Sequence, residues 1–238
     1  MTEIKLTKYE KNGEYSYSFG AFPTFELLKN KPKQVLKVIF SSKVNETEDI
    51  IKLKSLCNNL KIPFETNDKH INKIAPNDNT FVIGVFKKYD CKLKNGNNLV
   101  LVNPSDMGNM GTIMRSALGF GFENIIIVKP AVDVFNPKTI RASMGAIFSL
   151  NIVEFENIDE YLAKSTNKKY FFMLNGKKTL GNFKFEKENV DLVFGNESSG
   201  LPDFLINVDE SVVIEHNNKI DSLNLPTSVG IALYEFSR

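Results

Sequence analysis

The chain has 238 residues, 42% of them hydrophobic, with two cysteines and a formal net charge of only +2. That length buries a core without disulfides or metals, and no apolar run approaches the roughly 20 residues of a membrane-spanning helix. With no signal-type apolar stretch after Met1, and with Cys57 and Cys91 far apart and without metal-type spacing, the expectation is a cytoplasmic globular protein with free thiols and no metal.

The first twenty residues show no clear period and read as an extended, loosely attached lead. From Pro23 the pattern is α/β. Thr24 can cap a short helix through Leu27 and Leu28, 35–40 reads as a strand, and 48–60 alternates charged and apolar residues at helical spacing. A short strand at 62–65, a helical turn at 70–74 and a strand at 81–86 complete a small three-layer unit of about ninety residues. His70 is read as a surface or half-buried helix residue without chemistry.

Charge is divided unevenly. Residues 1–95 hold 17 lysines against 11 acidic residues, a net of +6, and the remainder holds 13 Lys and Arg against 17 acidic residues, a net of −4. Lys29, Lys31, Lys33 and Lys37 cluster between the first helix and first strand, where flexible cations suit non-specific phosphate contacts. Solvated surface lysines give the same composition, so charge alone does not identify nucleic acid.

The polar run 87–98, with its Asn-Gly pair, is the best linker candidate, and it divides the chain into residues 1–90, a linker at 91–97 and residues 98–238. Beyond it the α/β alternation continues. Strands are expected at 99–102, 125–128, 150–153, 170–174, 190–194 and 211–214, with helices starting near Asn136 and Asp159. Asn224 can cap a last helix with Leu225, Val229, Ala232, Leu233 and Phe236 on one face. Ile231 and Tyr234 make a second face apolar, so this helix needs two burials, one of which a partner subunit can provide.

Three loops that follow apolar strands are rich in Asn, Ser, Glu and Gly: 103–111, 195–200 and 215–224. In an open α/β sheet, ligands bind beyond the carboxyl ends of strands. None of the three is a G-x-G-x-x-G or G-x-x-x-x-G-K-[ST] loop. In the first, Met110, Ile113, Met114, Ala117 and Leu118 form a helical stripe, and Arg115 lies off it on the side of Gly108, Gly111 and Gly119. A cation beside bare backbone can meet an anion closely; a solvated Arg beside turn glycines has the same sequence.

Together the three loops resemble the motifs of the SpoU (TrmH-type) RNA ribose 2′-O-methyltransferases. The first is Asp106-Met107-Gly108-Asn109-Met110-Gly111-Thr112-Ile113-Met114-Arg115-Ser116-Ala117 with Phe120-Gly121 following. Val193 to Leu201 resembles the second, and Ser222-Leu223-Asn224 with Val229 to Glu235 the third. The likeness spans residues 98–238. The first ninety residues are similar, more weakly, to the ribosomal-protein-like RNA-binding domain that often precedes this catalytic domain.

The resemblance implies an α/β-knot domain with a trefoil-knotted, mostly parallel sheet, S-adenosylmethionine as cofactor, rRNA or tRNA as substrate, and a homodimer packed through the last helix. Residue by residue it implies Arg115 nearest the reaction, with Asn109, Glu197, Ser222 and Asn224 around it. It also implies cofactor contacts at Gly195, Ile214, His216 and Leu223. Because a guanidinium stays charged and offers no acceptor, Arg115 suits holding a phosphate and stabilising a forming alkoxide better than taking a proton. Glu197 either accepts that proton, pairs with Arg115 or caps the next helix. One departure stands out: the family's Ile-Pro-Met is here Ile214-Glu215-His216, so His216 either stacks on the cofactor ring or faces solvent. Weak cofactor binding there would make the protein a catalytically silent RNA-binding or assembly factor, the alternative reading.

Overall fold

The computed structural model describes residues 6–75, 79–182, 184–187 and 189–238. In chain order the elements begin β1 (Tyr15–Phe19), α1 (Ala21–Asn30), β2 (Val35–Phe40), α2 (Glu48–Asn59), β3 (Phe64–Thr66), α3 (Asp68–Ile74) and β4 (Val82–Lys87). They continue with β5 (Asn98–Val102), α4 (Met107–Gly119), β6 (Asn124–Val128), α5 (Pro137–Ala142), β7 (Asn151–Phe155) and α6 (Ile158–Lys164). The last are β8 (Lys168–Phe172), β9 (Lys178–Thr179), β10 (Val190–Phe194), β11 (Glu210–Val213) and α7 (Leu225–Ser237). No helix among the described residues is long and apolar enough to cross a membrane.

Contacts divide the chain into two units, Met1–Tyr89 with Asp133–Ser149, and Asp90–Val132 with Leu150–Arg238. Residues 133–149 thus depart from the expected contiguous second domain. Their aromatic and polar groups are satisfied in the first unit: Phe148 packs edge-on against Phe86 at 5.2 Å, and Ser16 donates to the Phe135 carbonyl. Gly145, at φ +80°, brings its backbone so close to α1 that a Cβ would lie 2.9 Å from Glu26 Cβ.

The first unit is a four-stranded sheet in the order β1-β4-β2-β3. Alternation along the strands splits its core. Val38, Phe40 and Val82 pack with Leu28 of α1 and Ile50, Leu53 and Cys57 of α2, while Ile39, Ile83 and Val85 pack with Ile71 and Ile74 of α3. This is the expected three-layer unit. Strand β1 corrects the expected loose lead: it runs antiparallel to β4, and Tyr17 is 1% exposed. Its period was hidden because Ser16 and Ser18 are buried too, with Ser18 bonded to Thr24 Oγ1 at 2.9 Å. Thr24 accordingly sits inside α1, and Gly20, at φ 101°, occupies the N-cap.

The second unit carries seven strands in the order β7-β6-β5-β10-β8-β11-β9, and every pairing in it is parallel. Val100, Val102, Ile126 and Val128 face a core with Phe155, Tyr161 of α6 and Leu205. On the other side α4 packs against α7, with Phe122 edge-on to Phe236 at 5.2 Å. At the amino ends of the strands Lys169, Asp191, Asn98, Asn124 and Asn151 stand in register, all buried. Asp191, fully buried, accepts from Asn98 Nδ2 at 2.6 Å, Tyr161 OH at 2.7 Å, Ser165 Oγ at 2.5 Å and Asn167 Nδ2 at 2.9 Å. This amino edge is closed by polar pairing, and the open loops lie at the carboxyl edge.

Candidate active site

The loop after β10 is folded on itself. Asn196 and Gly200 exchange backbone hydrogen bonds at 3.2 and 3.0 Å, and Asn196 Oδ1 accepts from the Ser198 N–H at 2.8 Å. Gly195 sits under that turn: a Cβ there would lie 2.1 Å from Gly200 C, so only glycine fits. Asn196 Nδ2 also donates to the Asn103 carbonyl at 2.7 Å, and Asn103 holds the left-handed φ of 53° as the chain leaves β5. Asparagine tolerates that conformation better than most residues.

From the same loop Glu197 reaches the start of α4. Its carboxylate accepts from Ser105 Oγ at 2.8 Å, the Ser105 N–H at 3.1 Å, the Asp106 N–H at 3.3 Å and Asn109 Nδ2 at 3.3 Å. Asp106 caps the helix, accepting from the Asn109 N–H at 2.7 Å. Burial alone would raise the Glu197 pKa. The Ser105 hydroxyl, its own backbone N–H and Asn109 together outweigh that and hold it below the usual carboxylate value. Of the three expected roles, then, the contacts are those of an anion tying the second loop to the helix start. Arg115 makes no ion pair with it.

A cleft of 440 Å³ opens at this edge. Gly195, Glu197, Ile214, His216, Ser222 and Leu223 line it, six of the nine expected site residues. Asn109 is joined to it through Glu197. Asn224 stands at the α7 N-cap without a side-chain capping bond, and Arg115 lies on the exposed stripe Gly108, Thr112, Arg115, Gly119 of α4. Arg115 has no hydrogen-bond or ion-pair partner among the described residues. His216 is turned by its own chain, Nδ1 lying 2.9 Å from the Ile214 carbonyl. Of the four clustered lysines, Lys37 pairs with Glu65 at 2.8 Å and Lys31 lies over the Tyr89 ring, whereas Lys29 and Lys33 are exposed without a partner among the described residues.

Residues 96–234 match the SpoU rRNA Methylase family. The chain belongs to that family. Along nearly its whole length it is similar to an uncharacterized tRNA/rRNA methyltransferase of Mycoplasma pneumoniae, at 29% identity, covering 93% of this chain and 96% of the relative. A 23S rRNA (adenosine(1067)-2′-O)-methyltransferase of Streptomyces laurentii is 33% identical over 63% of this chain and 57% of its own. Some SpoU relatives are much longer: the matched part is 52% of an uncharacterized tRNA/rRNA methyltransferase of Synechocystis and 35% of the human mitochondrial rRNA methyltransferase 3. The fold matches a crystal structure of an AdoMet-bound rRNA methyltransferase of Sinorhizobium meliloti, at TM-score 0.79 and 24% identity, covering 94% of this chain and 87% of the other.

Several residues around this SpoU cleft were not among the expected site residues. Ser105 and Asn103 fix the first loop to the second, and Leu174, Asn175 and Asp203 form part of the lining. The Asn103-Pro104 pair is a turn signal that could have pointed to the first two. Leu174 and Asn175 follow β8, and only the sheet order, which sets β8 between β10 and β11, brings them to the cleft.

Proposed function

We propose that the protein methylates a ribose 2′-OH of structured rRNA or tRNA using S-adenosylmethionine. The observation that carries this reading is the charge of the cleft between the motif loops. Among the described residues its lining includes the carboxylates of Glu197 and Asp203 and no Lys or Arg. Such a lining suits a sulfonium cation and is a poor host for a polyphosphate nucleotide. Phe194, Ile214, Leu223 and Leu225 offer apolar surface for a purine, beside the loop backbone of Gly195 and Asn196. When bound, the cofactor supplies a methyl group already activated for displacement, so the protein's work is alignment and charge management.

In this reading Glu197 and Asn109 hold the loop and α4 in register, and Ser222, which lines the cleft, and Asn224, two residues on, serve the incoming ribose. Arg115 binds the target phosphate and stabilises the forming alkoxide. Glu197 is a poor proton acceptor, because its oxygens are occupied and its pKa is lowered, and water takes the proton.

A homodimer through α7 belongs to the same proposal. Ile231 and Tyr234 are exposed on α7, Phe120 at the end of α4 packs edge-on to Tyr234 at 6.4 Å, and a second copy covering this face would bring Arg115 to a cleft. A trefoil-knotted path for residues 98–238 belongs to the same proposal; the close approach of the chain after β8 to β11, where a Cβ on Gly176 would lie 2.5 Å from Val212 C, is in keeping with it. Residues 1–90 serve as the RNA-binding domain, with Lys29 and Lys33 available to phosphates, residues 91–97 as the linker, and the cytoplasm as the site of action. Mapping 2′-O-methylation across total cellular RNA with and without the gene tests the assignment. Loss of one or a few sites supports it; an unchanged map opposes it.

A further inference from the structure

Resting on the S-adenosylmethionine reading of the cleft, we infer that His216 is an adenine-recognising residue whose Nε2 accepts a hydrogen bond from the 6-amino group. The Ile214 carbonyl can only accept, so the 2.9 Å contact requires His216 Nδ1 to carry a proton. In the neutral ring that assignment fixes the tautomer: Nε2 keeps its lone pair and is an acceptor. No protein donor meets Nε2 among the described residues, although His216 is half-buried and lines the cleft. A half-buried acceptor on a ligand cavity, locked in orientation by its own backbone, is arranged to receive a donor from the ligand.

The surroundings select which donor. The lining near His216 in sequence and on the neighbouring loop is largely apolar, through Val212, Ile214, Leu223 and Leu225 beside the hydroxyls of Ser222 and Ser228, whereas Asn196, Glu197, Ser198 and Asp203 form the more polar part. A flat purine loses least hydration against the apolar part, and the 6-amino group is the only N–H donor on the adenine ring. The ribose hydroxyls and the ammonium group are served by the polar part. The side chain therefore reads the base rather than the reacting end of the cofactor.

Calorimetry with S-adenosylhomocysteine and its 6-deamino (purine riboside) analogue tests this on the full-length protein. The wild type is expected to bind the parent at least about tenfold more tightly than the analogue, the effect of one good hydrogen bond. H216M should bind the two equally, and H216Q, which keeps an acceptor, should restore part of the discrimination. Thermal melting of each variant without ligand establishes that it is folded. Equal binding of both ligands by the wild type, or undiminished discrimination in folded H216M, overturns the role of His216 alone. Absence of S-adenosylhomocysteine binding by the wild type overturns the cofactor reading and this inference with it.

Discussion

Glu197 accepts hydrogen bonds from both the hydroxyl and the backbone N–H of Ser105, at 2.8 and 3.1 Å, residues 92 positions apart in the chain. The pair locks the loop after β10 onto the entrance to α4. E197A should cost about 1–2 kcal/mol in urea unfolding, because several donors lose a charged acceptor at a partly exposed site. The folded pKa is depressed, so the Glu197 contribution is fully present above the unfolded value near 4.3 and is lost as pH falls through the folded value. The stability gap between wild type and E197A should therefore narrow in acid and stay constant from pH 6 to 8.

The loop itself depends on Gly195. In G195A the new Cβ would lie 2.1 Å from Gly200 C and 2.3 Å from its oxygen, both backbone atoms that cannot swing aside. The loop must move, at a cost of about 1–3 kcal/mol. Calorimetry should show cofactor binding lost or weakened by more than tenfold, whereas G181A, with open space around it, should leave binding unchanged.

At the opposite edge of the sheet, stability rather than chemistry is at stake. D191L leaves the amides of Asn98 and Asn167 and the hydroxyls of Tyr161 and Ser165 without their shared buried acceptor. Urea denaturation should show a loss of about 3 kcal/mol or more.

If the proposed role of Arg115 holds, R115A separates transfer from binding. Arg115 is exposed and makes no ion pair among the described residues, so R115A should change stability by less than about 0.5 kcal/mol. Cofactor affinity should stay unchanged while single-turnover methyl transfer falls about 100-fold or more, the effect expected from losing a donor to a developing oxyanion.

Strands made of largely apolar runs were legible from the chain, and 35–40 and 190–194, each broken by one charge at Lys37 and Asp191, coincide with β2 and β10. The buried face of α7 was legible too, since Leu225, Val229, Ala232, Leu233 and Phe236 are all buried. Strand β1 was not, because Ser16 and Ser18 are buried through hydrogen bonds and leave no hydropathy signal. The return of residues 133–149 to the first unit was equally hidden, being decided by contacts between distant segments. At the site, the three loops could be picked out as polar breaks after apolar strands. Which side chains face one cleft depended on sheet order, and the bond of Glu197 to Ser105 instead of Arg115 is a matter of loop geometry that spacing does not encode.

Transfer of a methyl group to a ribose oxygen leaves a product that alkali reveals. The most direct test incubates the protein with methyl-labelled S-adenosylmethionine and unmodified rRNA or tRNA, then hydrolyses the RNA in alkali. A 2′-O-methyl group blocks cleavage at its own phosphodiester. Label is expected in alkali-resistant dinucleotides, with about 100-fold less or lower still for R115A. Label released wholly as mononucleotides would place the methyl group on a base and contradict transfer to ribose.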